Sequence, residues 1–325
     1  MCDNGTIDFP PLEAMIPTPP KSGNVSFVWK VPVNRTSNRR RIDWINSSFI
    51  TVAHVLALAA VIYLIFVRFS WWTMGLGTLW AACCSLSITA GYHRHFSHKA
   101  YKTGKLLRLF YLLFGAASLQ NSALKWSADH RVHHSKTDQD EDPYNISKGF
   151  WWAHIGWVLF RDGRGTDYSG VKDLSADPLV QFQHRYYVPL AATMGAVLPF
   201  ALGSLWGDAL GALLVAGFLR LVIQWHSTFS VNSVAHLIGK RPYSLKSSAR
   251  DSFITALVTL GEGYHNFHHR FQFDYRNGVR WFHFDPTKWW LATLSKIGLT
   301  WDLKRVPKEA IERARREVMA SKSLA

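Results

Sequence analysis

From Phe49 to Phe69 the chain is almost wholly apolar, with His54 interrupting the run near its start. Crossing a bilayer core takes ~20 helical residues, so this run predicts a transmembrane helix. Trp71 to Ala90 is a second such run after a link of very few residues. The two predict a tight hairpin, with Trp71 and Trp72 in the membrane interface. The arrangement repeats at about Tyr187 to Trp206 and about Ala209 to Phe229, where the link around Gly207 and Asp208 carries no Lys or Arg. The pattern therefore predicts an all-α integral membrane protein with four transmembrane helices in two hairpins.

Leu106 to Leu119 is apolar as well, but shorter and flanked by Lys102, Lys105 and Arg108. It reads as an amphipathic helix at the membrane surface. With four spans, the N-terminus, residues 91–186 and everything from 230 onward share one side. That side then holds nearly all Lys and Arg, which marks it as cytoplasmic. A fifth span would place the last histidine cluster, described below, across the membrane from the others.

Composition refines this picture. The chain has 325 residues and a formal charge of +15. A basic balance suits nucleic acid, an anionic membrane surface or an anionic substrate. Nucleic acid is disfavoured, because no such motif occurs and several stretches are too apolar. Cys2, Cys83 and Cys84 give neither metal spacing nor a disulfide framework. Residues 1–43 begin with a proline-rich stretch that predicts disorder, with no signal peptide. Arg39, Arg40 and Arg41 read as a juxtamembrane anchor. Residues 44–305 form the membrane domain, and 306–325 a charged helix or tail. Sequons at Asn4, Asn24, Asn34, Asn46 and Asn145 are discounted, since parity places all five in the cytoplasm.

The chemistry lies in the histidines. His265, His268 and His269 stand at i, i+3 and i+4, so a helix would present all three on one face. His130, His133 and His134 repeat these offsets, and His93 and His98 form an earlier pair. Clusters this dense suit a transition metal. Eight ligands are too many for one ion, so two metals are implied. A structural zinc site would be closed by four ligands and usually uses cysteine, which none of these clusters contains. Asp129, Asp142 and Glu262 are placed to accept from imidazole N–H groups and orient the rings. His54, His154, His184, His226 and His283 have no partner at ligand spacing.

The boxes His93-Arg-His-Phe-Ser-His98, His130-Arg-Val-His-His134 and His265-Asn-Phe-His-His269 resemble those of membrane fatty acyl desaturases, most closely the stearoyl-CoA desaturase-like acyl-CoA group. Asn232-Ser-Val-Ala-His236 resembles that family's further metal motif. Gly261-Glu-Gly, Asp142-Pro143 and Phe273-Asp-Tyr275 add to the likeness, which runs from about Trp44 to Lys304. The resemblance implies a cytosolic helical cap holding a histidine-rich di-iron site over the spans. The implied ligands are His93, His98, His130, His133, His134, His236, His265, His268 and His269, with Asn232 acting through water. No catalytic side chain beyond these is implied. His95 departs from the family's common Leu and would point away from His93.

By the same resemblance Gln120, Asn121, Trp126, Asp129, Trp157, Arg161 and Thr228 would contact the acyl chain or its carrier. Ala128, Asp162 and Phe229 depart from the family pattern around the head group. The implied reaction is delta-9 desaturation of a saturated acyl-CoA, using two Fe2+ ions, O2 as co-substrate and electrons from outside. No haem motif, flavin fingerprint or fused cytochrome b5-like domain occurs. The expected partners are therefore the acyl-CoA, membrane lipid, and a separate donor: a cytochrome b5-like protein, or a ferredoxin or rubredoxin with its reductase. A bacterial inner membrane and the endoplasmic reticulum both fit the topology, and the missing fused domain favours the former. An acyl-lipid desaturase, a di-iron hydroxylase and a non-catalytic metal-binding membrane protein are the alternatives.

Overall fold

The computed structural model describes residues 41–161, 163 and 165–323. The proline-rich expectation, Arg39, Arg40, three sequons (Asn4, Asn24, Asn34) and Asp162 lie outside them. Residues 41–43, expected to be disordered, are ordered instead. Arg41–Ile42 pairs antiparallel with Phe160–Arg161. Asp43 caps the first span by accepting from Asn46 N, and it also pairs with Arg161.

Four helices among the described residues are long and apolar enough to cross a membrane: Trp44–Val67, Trp71–Ser97, Tyr187–Ser204 and Ala209–Leu237. Ser70 caps the second by accepting from Thr73 N. The two hairpin links are tied together, with Tyr63 Oη donating to Asp208 at 2.7 Å and Arg68 Nη1 to Gly207 O at 2.6 Å. Gly77 lets the second and fourth spans touch, since a Cβ there would meet Val215 Cγ1 at 2.8 Å.

The second and fourth spans run past their apolar stretches. At ~1.5 Å per residue, helices this long reach roughly 40 Å, against a hydrocarbon core of ~30 Å. Their polar ends therefore stand clear of the lipid, and those ends carry His93 and His236. Spans meant only to anchor would not need this excess.

The helix Lys105–Ala117, expected at the surface, is packed into the body. Leu106 is exposed, but Tyr111 and Leu112 are fully buried, and Gly115 leaves room for the Tyr92 ring. Arg220, a buried cation in the fourth span, donates to Ala117 O at this helix's C-terminus. That carbonyl end carries partial negative charge, which accounts for an arginine in an apolar span. The C-terminal helix Lys308–Ser323 is charged outside, but it buries Ile311 and Ala314 in a cluster with Tyr243, Phe267 and Phe271. It thus covers the back of the third histidine box.

Candidate metal centre

The first box sits on an unusual stretch of helix. Ser87–Ser97 is wound as a π-helix, and His98 N donates to His93 O at 3.1 Å, five residues back. On an α-helix, residues five apart point about 140° away from each other. The wider winding brings them towards one side, and the two rings lie 4.9 Å apart. The second box rides on Ala123–Lys136, capped by Ser122, where the i, i+3, i+4 spacing applies. The third lies on the short helix His265–Arg270. Gly261 reaches φ +98°, and a Cβ on Gly263 would strike Ala256 N at 2.2 Å. These two glycines let the chain turn sharply and press against Phe253–Val258, which aims Glu262 inward. His236 comes from the end of the fourth span.

All nine histidines gather in two groups, His93, His98, His130, His134 and His268 in one, and His133, His236, His265 and His269 in the other. Within each, one nitrogen per residue lies within 4.8 Å of all the others. His268 Nε2 stands 2.9 Å from His93 Nε2 and 3.0 Å from His134 Nε2. His269 Nε2 is 3.0 Å from His265 Nε2.

The surroundings set which nitrogen is free. His93 Nδ1 lies 2.8 Å from Glu262 and His133 Nδ1 2.9 Å from Asp142. A carboxylate accepts the proton there, leaving the Nε2 lone pair facing inward. His236 Nδ1 meets Ser248 Oγ at 2.6 Å, and Ser248 Oγ donates to Asp138 Oδ1. His236 Nε2 is buried with no hydrogen-bond partner. An unpartnered nitrogen inside a cage of inward-facing lone pairs fits a metal ion and little else. Asp129 is bonded to Lys125 at 2.8 Å.

Burial pushes His98, His130, His134, His265, His268 and His269 well below the ordinary value of 6.5, and neighbouring imidazoles push the same way. The rings are therefore neutral near pH 7 and able to coordinate. Burial alone would raise Glu262, but His93 and Arg94 hold it down to about 2. Burial opposes ionisation of Asp142 too, yet His133 and the N–H groups of Asp138 and Tyr144 keep it below the carboxylate range. Below pH 6.5 an unfolded chain takes up protons that the buried rings refuse. Cap stability should therefore fall as pH drops through that window, and bound metal should fall with it. Metal content after dialysis across pH 7.5 to 5, with both quantities expected to decline together, checks this.

Several features were not legible as motifs. Arg94 is fully buried and donates to Glu262 at 2.9 Å, Asp285 at 3.0 Å and Tyr275 O at 2.7 Å. Asn277 donates to the other Glu262 oxygen at 2.6 Å. His54, His226 and His154, which have no ligand spacing in sequence, form a chain with two 3.0 Å links, ending 2.9 Å from Ser233 Oγ. His226 uses opposite nitrogens for its two neighbours, so the three do not converge on one ion. His95 belongs to neither group, and its Nδ1 faces Tyr101 O at 3.3 Å. His95→Leu should leave metal content unchanged and activity within about twofold, measured side by side with the parent chain.

Two cavities adjoin the centre. One, of about 610 Å³, lies between the second and fourth spans and touches His93, His130, His133 and His265. The other, of about 760 Å³, opens past Asn46, Asn121 and Asp129. Trp126, His130, Thr228 and Asn232 line both. Gln120 Nε2 donates to Thr228 Oγ1 at 3.0 Å beside this junction, and Trp126 stacks on His130. Gln120 and Trp157 line the second cavity. Arg161 lines neither and is held at the surface by Asp43.

A polytopic helical membrane protein with two histidine clusters that could hold metal ions is the class these features define. The chain belongs to the fatty acid desaturase family, whose profile matches residues 69–302. It is 49% identical over 243 residues to a probable acyl-CoA desaturase of Schizosaccharomyces pombe, covering 74% of this chain and 51% of that one. It is 44% identical to acyl-CoA desaturase 1 of Saccharomyces cerevisiae, covering 70% and 45%. Against stearoyl-CoA desaturase 5 of Bos taurus it is 38% identical, covering 85% and 83%. The chain thus spans about half the length of the two yeast relatives.

Proposed function

We propose that this protein desaturates a saturated fatty acyl-CoA, at the delta-9 position, with O2 as co-substrate. The observation that carries the reading is the nine-imidazole double cage placed at the junction of two cavities, the outer of them walled by apolar side chains such as Phe49, Ile50, Leu119, Trp157, Trp225 and Phe229. The fungal and bovine relatives, named as acyl-CoA and stearoyl-CoA desaturases, support it.

The nine histidines would hold two iron ions, five rings on one and four on the other, with Asn232 contributing through water. Bound iron supplies the oxidising power to remove two hydrogens from unactivated methylenes, which no side chain can do. The residues do the rest. The second cavity takes the acyl chain in past Asn121, Asp129 and Trp157. Trp126 and the Gln120–Thr228 pair form the corner at which the chain bends, and the first cavity takes its methyl end. The bend fixes which carbons face His130 and Asn232, and the packed spans exclude water from the reacting methylenes. Glu262 and Asp142 hold two rings in the tautomer that coordinates. The balance is one O2, two external electrons and two protons per double bond, giving two waters. The charge distribution supports a cytoplasmic cap, in a bacterial inner membrane or the endoplasmic reticulum.

Expression in cells lacking their own desaturase, followed by mass spectrometry of fatty-acid methyl esters with double-bond location, tests this. A new delta-9 monounsaturated species is expected. A hydroxylated product would move the assignment to a hydroxylase. Unsaturation found only when the chain is offered on a glycerolipid would exclude the acyl-CoA substrate.

A further inference from the structure

A separate cavity of about 1090 Å³ opens on the cap, between the C-terminal helix and the segment after the fourth span. Its wall carries Lys240, Arg241, Arg250, Arg280, Arg315 and Lys322, and no carboxylate. Side-chain bonds from these cations go to neutral oxygens: Arg241 to Ser247 O, Arg250 to Gly239 O, and Arg315 to Tyr243 Oη. Among the described residues, none of the six forms an ion pair. Asp251, in the same segment, turns inward and accepts from the N–H groups of Asn266 and Phe267. Six cations on one concave wall, none held in an ion pair among the described residues, make a strong positive field, which selects an acidic partner.

The floor of this cavity leads directly to the metal centre. Arg250 N–H donates to Ala235 O at 2.8 Å, one residue before His236. Arg250 O accepts from His265 N–H at 3.1 Å. Lys240 and Asp251 exchange two backbone bonds, of 2.9 and 2.7 Å, which fix this arrangement. Gly239 makes it possible, since a Cβ there would meet Asp251 O at 2.4 Å. One residue of the charged wall is thus hydrogen-bonded through its backbone to two of the three segments that carry histidines of the four-member group, those of His236 and of His265 and His269.

We infer that this cavity docks an acidic one-electron redox protein, and that electrons reach the four-histidine group through the backbone of Arg250. The inference rests on the proposed desaturation, which consumes two electrons that the chain's own side chains do not supply. Each docking event oxidises the donor by one electron. Two events, with two protons, complete the reduction of O2 to two waters alongside removal of two hydrogens from the acyl chain. Coenzyme A is a poorer occupant, because its acyl chain must enter the bent cavities, which share no lining residue with this one.

The test uses the full chain in detergent, with Arg241→Ala, Arg280→Ala and Lys322→Ala combined. None of the three lies in the metal centre or the acyl cavities. The probe is the soluble haem domain of a cytochrome b5, titrated at low and at 0.5 M salt. The parent chain should bind it at low salt and lose it at high salt, because exposed charges are screened beyond ~8 Å already at physiological salt. The triple variant should bind at least about tenfold more weakly. Its turnover with a small chemical reductant and its KM for stearoyl-CoA should match the parent. Equal affinity of parent and variant for the probe would overturn the docking surface. So would a raised acyl-CoA KM with donor affinity kept, since the cavity would then hold the phosphates of coenzyme A. The affinity comparison needs no turnover, so it decides the docking surface even if the substrate reading fails.

Discussion

His268→Ala should abolish product formation and strip the five-histidine group of its metal. His268 Nε2 stands within 3.0 Å of both His93 and His134 nitrogens, so it closes the cage between the first and second boxes. Loss of a group that merely orients a ligand costs 10–100-fold in metal affinity, and loss of the ligand itself should exceed ~100-fold. The ring is buried, and alanine leaves a cavity its stiff neighbours cannot fill. Iron content, product yield and far-UV circular dichroism on the same preparation separate metal loss from unfolding. Unchanged helix content with iron reduced and no product is the expected triad of results.

Glu262→Ala should be nearly as damaging, through stability as well as metal. Glu262 joins His93 on one oxygen and Arg94 on the other, all buried. Removing it leaves Arg94 with Asp285 as its one ion-pair partner and His93 Nδ1 without its acceptor. Breaking a buried pair by deleting one member typically costs about 3–5 kcal/mol. The Glu262 contribution is present above the ordinary carboxylate range and is lost only as pH falls towards about 2, so the deficit should persist at every working pH. Glu262→Gln keeps the shape and should recover part of the thermal stability, but it cannot recover the basicity that a carboxylate lends His93. Melting temperature in detergent should rank parent, Gln, Ala. Iron affinity should drop in both variants.

Much of this was readable in advance where one physical rule governs. The four spans follow from runs of apolar residues, because a bilayer imposes length and composition directly. The second and third boxes follow from the 3.6-residue period, which places i, i+3 and i+4 together. The first box obeys no such rule: His93 and His98 are five apart, and only the π-winding of Ser87–Ser97 turns both inward. Nor does periodicity sort nine rings into five and four, since that depends on how distant segments cross. Arg94 and Ser248 were invisible for a related reason. Arg94 sits inside a histidine box, and long-range packing buries it against Asp285, 191 residues away. The apolar run Leu106 to Leu119 was read as lying at the membrane surface, whereas the helix Lys105–Ala117 buries Tyr111 and Leu112 in the protein, since protein and lipid select the same side chains.

The measurement that bears most directly on the double cage is iron per chain by mass spectrometry, on anaerobically reconstituted parent, His268→Ala and His269→Ala. The two variants each remove one ring from a different group. Two irons in the parent and a loss of about one in each variant is the predicted result. A single iron in an active parent, or two irons retained in both variants, would contradict the assignment of these histidines to two metal sites.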